Sequence, residues 1–291
     1  DAAKKQLRNR LLVLAFASVL LLVIYGPFSG LFTGIDRFLY DRFAPRLPGN
    51  PLQDAVIISI DPRQPDAEST VGLYGEVIAK LKSAEVRRII LPNPPVIPDG
   101  EPLPDWAARL GGDVPVYVPA RSRFAPHARR TGFVEIAPDT DGVMRKAGLW
   151  KLIDGQMVPS LAVAVAFDDA ETSARMQNLG ADDNILLTRY DAVRRIDVDD
   201  LIFGYINSRA LTGLTVFLDA EPELQSASAL LPSGQFVTHS EVTASLLADI
   251  EQDRVISSPS WIAVLEWLAP ILLAGVAVLF MPDRSRKDIA V

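Results

Sequence analysis

An uncharged run of apolar residues near the start of the chain constrains everything that follows it. Leu11-Leu12-Val13-Leu14-Ala15-Phe16-Ala17 leads on through Val19-Leu20-Leu21-Leu22-Val23-Ile24-Tyr25, and the stretch 11–35 carries no charge. A bilayer core ~30 Å thick is crossed by roughly 20 apolar residues of helix, which this stretch supplies. Lys4, Lys5, Arg8 and Arg10 precede it, so its N-terminal end is expected to face the cytoplasm. A cleaved signal peptide shares the basic start and apolar centre, but needs a small-residue cleavage site after them. Tyr25-Gly26-Pro27-Phe28 offers no good one, and an uncleaved anchor is the expectation.

A second run lies near the other end. Ser257-Ser258-Pro259 reads as a capped helix start with proline at the first helical position. From Trp261 to Met281 the chain is apolar except for Glu266, and Pro282 stops it. At ~1.5 Å per residue, 259–281 makes about 35 Å of helix, enough to span. Arg284, Arg286 and Lys287 follow, so both outer ends are expected in the cytoplasm. The predicted organisation is a cytosolic flank 1–10, a transmembrane helix 11–32 and an amphipathic stalk 33–50. An external domain 51–258, a transmembrane helix 259–282 and a cytosolic flank 283–291 complete it. Membrane lipid is expected as one partner.

Composition fits one medium domain plus two spans. Apolar residues make up 49% of the chain, at the upper edge of globular usage, and the two runs account for the excess. The net charge of −7 includes the positive flanks, so the intervening part is acidic and nucleic acid is not expected as a partner. With no cysteine there is neither a disulfide nor a thiolate metal site.

Between the runs, strands and helices alternate. Leu31, Phe32, Ile35, Phe38, Leu39 and Phe43 share one helical face, with Asp36, Arg37, Asp41 and Arg42 on the other. Ala55-Val56-Ile57-Ile58-Ser59-Ile60, Arg88-Ile89-Ile90-Leu91 and Leu214-Thr215-Val216-Phe217-Leu218 read as strands buried on both faces, as in a parallel sheet. Further strands are expected at 114–118, 133–136, 147–153 and 184–187. Helices are expected at 75–85, 105–110, 159–176, 198–203 and 241–250, and the proline-rich 92–104 as loop. The predicted fold class is therefore α/β, with a mostly parallel sheet, between two transmembrane helices.

In this order the chain resembles the bacterial CHASE-type sensor domains, specifically the second type. Asp36-Arg37-Phe38-Leu39-Tyr40-Asp41 resembles their Asp-x-x-x-Tyr-Asp stalk, and Val56-Ile57-Ile58-Ser59-Ile60-Asp61 their first strand closing on aspartate. Asp139-Thr140-Asp141-Gly142-Val143-Met144-Arg145 is similar to their Asp-x-Asp-Gly-x-x-Arg hairpin, with Pro159-Ser160-Leu161-Ala162 as the helix start after it. His239 matches a late histidine. The chain departs from the family pattern at Leu73-Tyr74-Gly75-Glu76, at Asn93, and at Asp219-Ala220-Glu221-Pro222. The resemblance implies a signalling receptor of a bacterial inner membrane, with domain 51–258 in the periplasm and a cytosolic output domain beyond residue 291, such as a nucleotide cyclase, cyclic-dinucleotide enzyme or kinase.

Candidate site residues follow from strand ends. Asp61, Asn93 and Asp219 each follow a predicted strand at the edge where open α/β sheets bind ligands, although short polar residues also serve there as turn formers. Asp139 and Asp141 could hold a cation or merely shape a turn. Arg145 could meet an anionic ligand or pair with those aspartates, the pairing being preferred. His239 completes the ligand-binding set. His127 and His239 are the only histidines, so no metal is expected, and no cofactor either. Arg121, Arg123, Arg129 and Arg130 make a basic patch, read as a solvated loop or an anion site. Thr238-His239-Ser240-Glu241 has triad residue types, but chain neighbours cannot converge as a triad does. No catalytic residue is assigned. Glu266 costs ~2.5–3.5 kcal/mol if it lies at a bilayer centre. It either snorkels to the interface beside Trp261 and Trp267 or contacts a helix of a homodimer or partner membrane protein. The expected role is a sensor for a small periplasmic ligand. The rival is a stand-alone structural or regulatory subunit of a membrane complex.

Overall fold

The computed structural model describes residues 37–43, 54–60, 67–134, 137–168, 184–186, 193–220 and 229–252. The chain divides into two compact units, one of Asp1–Tyr40 with Pro259–Val291 and one of Asp41–Ser258. Of the first, residues 37–40 are described, and they are helical. Both predicted spans, and Glu266 with them, lie outside the described residues. Among the described residues no helix is long and apolar enough to cross a membrane.

The second unit is organised by a sheet of six strands in the order β4-β3-β2-β10-β1-β9, every neighbouring pair parallel. These are β1 (Ala55–Ser59), β2 (Arg88–Ile90), β3 (Val116–Pro119), β4 (Arg130–Gly132), β9 (Arg194–Asp197) and β10 (Thr215–Asp219). Helix α1 (37–43) precedes them. The main helices are α2 (Ala67–Ser83), α3 (Leu161–Ala166), α4 (Val198–Ile202) and α5 (His239–Glu251). The unbroken apolar runs have the expected cause, since both faces of the sheet are covered. Val56, Ile58, Val216 and Leu218 meet Val77 and Leu81 of α2 and Leu201 of α4 on one face. Ile57 and Phe217 meet Val163 of α3 and Leu247 of α5 on the other.

Strands β1 and β2 lie parallel in the sheet on either side of the inserted β10, with α2 between them in sequence. Three sequence expectations are corrected. Helix α2 begins at Ala67, well before the predicted 75, because Gly72 and Gly75 weaken its helical signal. Burial compensates: Tyr74 is fully enclosed, and a Cβ at Gly75 would lie 2.5 Å from the Trp106 ring that covers it. The strand expected at 133–136 lies at Arg130–Gly132, while Phe133 makes an isolated bridge to Ser160. Gly132 allows this, since a Cβ there would come within 2.5 Å of the Leu161 backbone. The run expected as one strand at 147–153 is two, β5 (Lys146–Gly148) and β6 (Trp150–Ile153).

These two strands belong to small antiparallel pairs. β5 joins β8 (Asn184–Leu186), and β6 turns through Asp154-Gly155 into β7 (Gln156–Pro159). Asp154 and Gly155 both have positive φ, 51° and 79°, as a two-residue hairpin loop requires. A third pair, β11 (Ala229–Leu230) with β12 (Phe236–Val237), leads into α5.

Candidate functional site

Strands β1 and β10 are parallel neighbours, and the helices that follow them cover opposite faces of the sheet. That is a topological switch point, and ligands of open α/β sheets bind outside the carboxyl ends there. Beside it, over the ends of β10, β2 and β3, opens a cleft of about 650 Å³. Ala220, Asn93 and Pro119 line it from those strand ends, and Thr70 and Tyr74 from α2. The volume lies within the range of small-molecule sites, ~300–1,000 Å³. Arg121 also lines the cleft and continues into an adjoining hollow of about 330 Å³ with Lys151 and Asp154.

Of the predicted ligand residues, Asn93 and Asp219 are brought to this edge. Asn93 borders the cleft, and its backbone oxygen accepts the Tyr74 hydroxyl at 2.8 Å. Asp219 ends β10 with 2% exposure. Burial, then the charge of Asp219, raises the Tyr74 phenol far above its ordinary range. Asp61 lies outside the described residues. His239 opens α5 and borders a separate small cavity beside Val134 and Ser160.

Asp219 is the hub of a polar network that sequence reasoning missed. Its Oδ2 accepts from Arg195 Nη1 at 3.3 Å and from the Thr238 hydroxyl at 3.2 Å. Arg195 also donates to Ser59 Oγ at 2.7 Å and to Glu241 Oε1 at 3.1 Å. Thr238 and Glu241 form a capping box: Thr238 Oγ1 accepts from the Glu241 amide, and Glu241 Oε2 from the Thr238 amide. The four residues with triad types are therefore a helix cap. The T-x-x-E spacing before an apolar run was the signal that could have found it.

Arg145 is elsewhere and is enclosed. Its guanidinium makes five hydrogen bonds to three carboxylates: Asp41 of α1 at 2.8 and 2.7 Å, Asp139 at 2.8 Å, and Asp141 at 3.0 and 2.9 Å. Asp41, then Asp141, raise its already high pKa. Asp141 also accepts the Val143 amide, closing the turn. Asp141 and Arg145 thus sit in a different cluster from Asn93 and Asp219.

Three of the four arginines of the basic patch are spent on the fold's own acceptors, while Arg121 makes an exposed pair with Asp154 at 3.6 Å. Arg123 donates to the carbonyls of Pro98 and Glu101, while Arg129 and Arg130 meet Asp168. Burial pushes the Asp168 carboxyl up, but hydrogen bonds from Tyr117, Arg130 and Arg129 outweigh it and hold its pKa below the usual range. Among the described residues no group of three or more histidines and carboxylates is arranged to hold a metal ion.

The fold and the cleft define an open parallel α/β domain with its crevice at the carboxyl edge. The chain belongs to the CHASE2 domain family, matched over residues 15–281. CHASE2 is a family of extracytoplasmic sensor domains found in signalling receptors. No curated protein and no solved structure matches the chain.

Proposed function

We propose that this protein is the membrane-anchored sensor part of a bacterial receptor, with the domain 51–258 in the periplasm between two spans. In this proposal the cleft over β10, β2 and β3 receives a small periplasmic ligand, and the signal passes to a cytosolic output domain beyond residue 291. The observation that carries it is the ligand-sized cleft of about 650 Å³ at the carboxyl edge of a parallel sheet. Family membership and the two apolar runs with basic outer flanks support the anchoring and the orientation. The ligand would act by binding two packings of the domain with different affinity.

A second reading is a stand-alone subunit of an inner-membrane complex. Phe203 and Tyr205, exposed by 69% and 80%, favour it as the centre of a protein-binding surface. The intact mass of the denatured protein from native membranes separates the two. A polypeptide large enough for an output domain is expected. A mass matching these 291 residues would overturn the receptor and leave the subunit.

A further inference from the structure

We propose that α5 and β10 act as a single strut that carries a change at the carboxyl edge of the sheet to the segment by which the chain leaves the domain. The proposal rests on the sensor role above and assigns the route by which the cleft would be read out.

Helix α5 has 13 residues, about 20 Å of rise. One end is tied to β10 directly and the other through Arg88 of β2. At the first end, Asp219, the last residue of β10, accepts the Thr238 hydroxyl that caps the helix. Arg195 braces that joint by bonding Asp219 and Glu241 together. At the other end, Arg88 Nη2 holds Glu251 Oε1 at 2.5 Å, and Arg88 Nε donates to the hydroxyl of Thr215, the first residue of β10, at 2.8 Å. Arg88 is 5% exposed and the Glu251 side chain 21%, so this second joint is charge-assisted and only partly open to water.

Between the joints, Val242, Leu246, Leu247 and Ile250 of α5 pack in one core with Phe217 of β10. A strand and a helix joined at both ends and packed between them can shift only together. The input lies at the cleft, since Ala220 lines it and follows Asp219 directly. The output lies at Glu251, eight residues before Pro259 and the second apolar run.

Hydrogen exchange of the full chain in lipid nanodiscs tests the strut without any ligand. Arg195→Gln loosens the first joint and Glu251→Gln the second. Each variant is expected to speed exchange at both 239–242 and 247–252, by roughly three- to tenfold, the scale of losing one capping or ion-pair contact. Peptides over β3 should stay as in the parent. Acceleration confined to each variant's own end would overturn the strut while leaving the sensor role standing. If Arg195→Gln opens the whole sheet, seen as faster exchange in β3 as well, Glu251→Gln decides alone.

Discussion

Two arginines of this domain each gather several acceptors, and the contrast between them separates a joint that is closed from one that can respond. The Arg145 side chain is 5% exposed and bonds three carboxylates at 2.7–3.0 Å. It binds Asp41 to the turn 139–142, and the next residue back, Met144, donates its amide to Leu230 at 2.8 Å. The Arg195 side chain is 40% exposed, and its carboxylate contacts are 3.1 and 3.3 Å long. A bidentate, enclosed arginine fixes a geometry, whereas a half-exposed arginine shared between a strand end and a helix cap leaves that geometry easy to shift.

The contrast can be broken by substitution. Arg145→Ala should have the largest effect, because it leaves three carboxylates facing one another. A loss of about 3 kcal/mol is expected, the low end for a broken buried pair because the carboxylates are about one-third exposed. Denaturant unfolding of the full chain in detergent measures it, and a loss below about 1 kcal/mol would place Arg145 with ordinary surface pairs.

Asp168→Asn probes an intermediate case, a carboxylate shared by Tyr117, Arg129 and Arg130. Its folded pKa is depressed, so its contribution is present above the unfolded pKa and is lost as pH falls through the folded one. The variant should be about 1 kcal/mol less stable near neutral pH, and the gap should close below about pH 4. A gap that stays constant down to acid would contradict the assignment. Arg195→Gln should be smallest, under about 1 kcal/mol and further reduced by salt. A salt-independent loss as large as that of Arg145→Ala would erase the distinction.

How much of this was legible in the sequence depends on burial. Strands β1, β2, β3 and β10 announce themselves as apolar runs because both their faces are covered. Strand β9 does not: Arg194-Arg195-Ile196-Asp197 has one buried residue, as an edge strand can, so Arg195 carried no signal. The insertion of β10 between β1 and β2 pairs segments about 160 residues apart, which no local pattern encodes. Asn93 and Asp219 were visible as polar residues ending apolar runs. That the Tyr74 hydroxyl reaches the Asn93 carbonyl was not, because an aromatic residue in a helix carries no mark of what its hydroxyl meets.

The most direct test of the sensor assignment is the side of the membrane on which the domain lies. The chain has no cysteine, so a single one can be placed at will. Ser233→Cys puts it on an exposed turn between β11 and β12, and Lys5→Cys puts it in the basic flank before the first apolar run. In intact spheroplasts a membrane-impermeant maleimide is expected to label Ser233→Cys at once and Lys5→Cys only after lysis. Labelling of Ser233→Cys only after lysis would place the cleft in the cytoplasm and contradict a receptor for periplasmic signals.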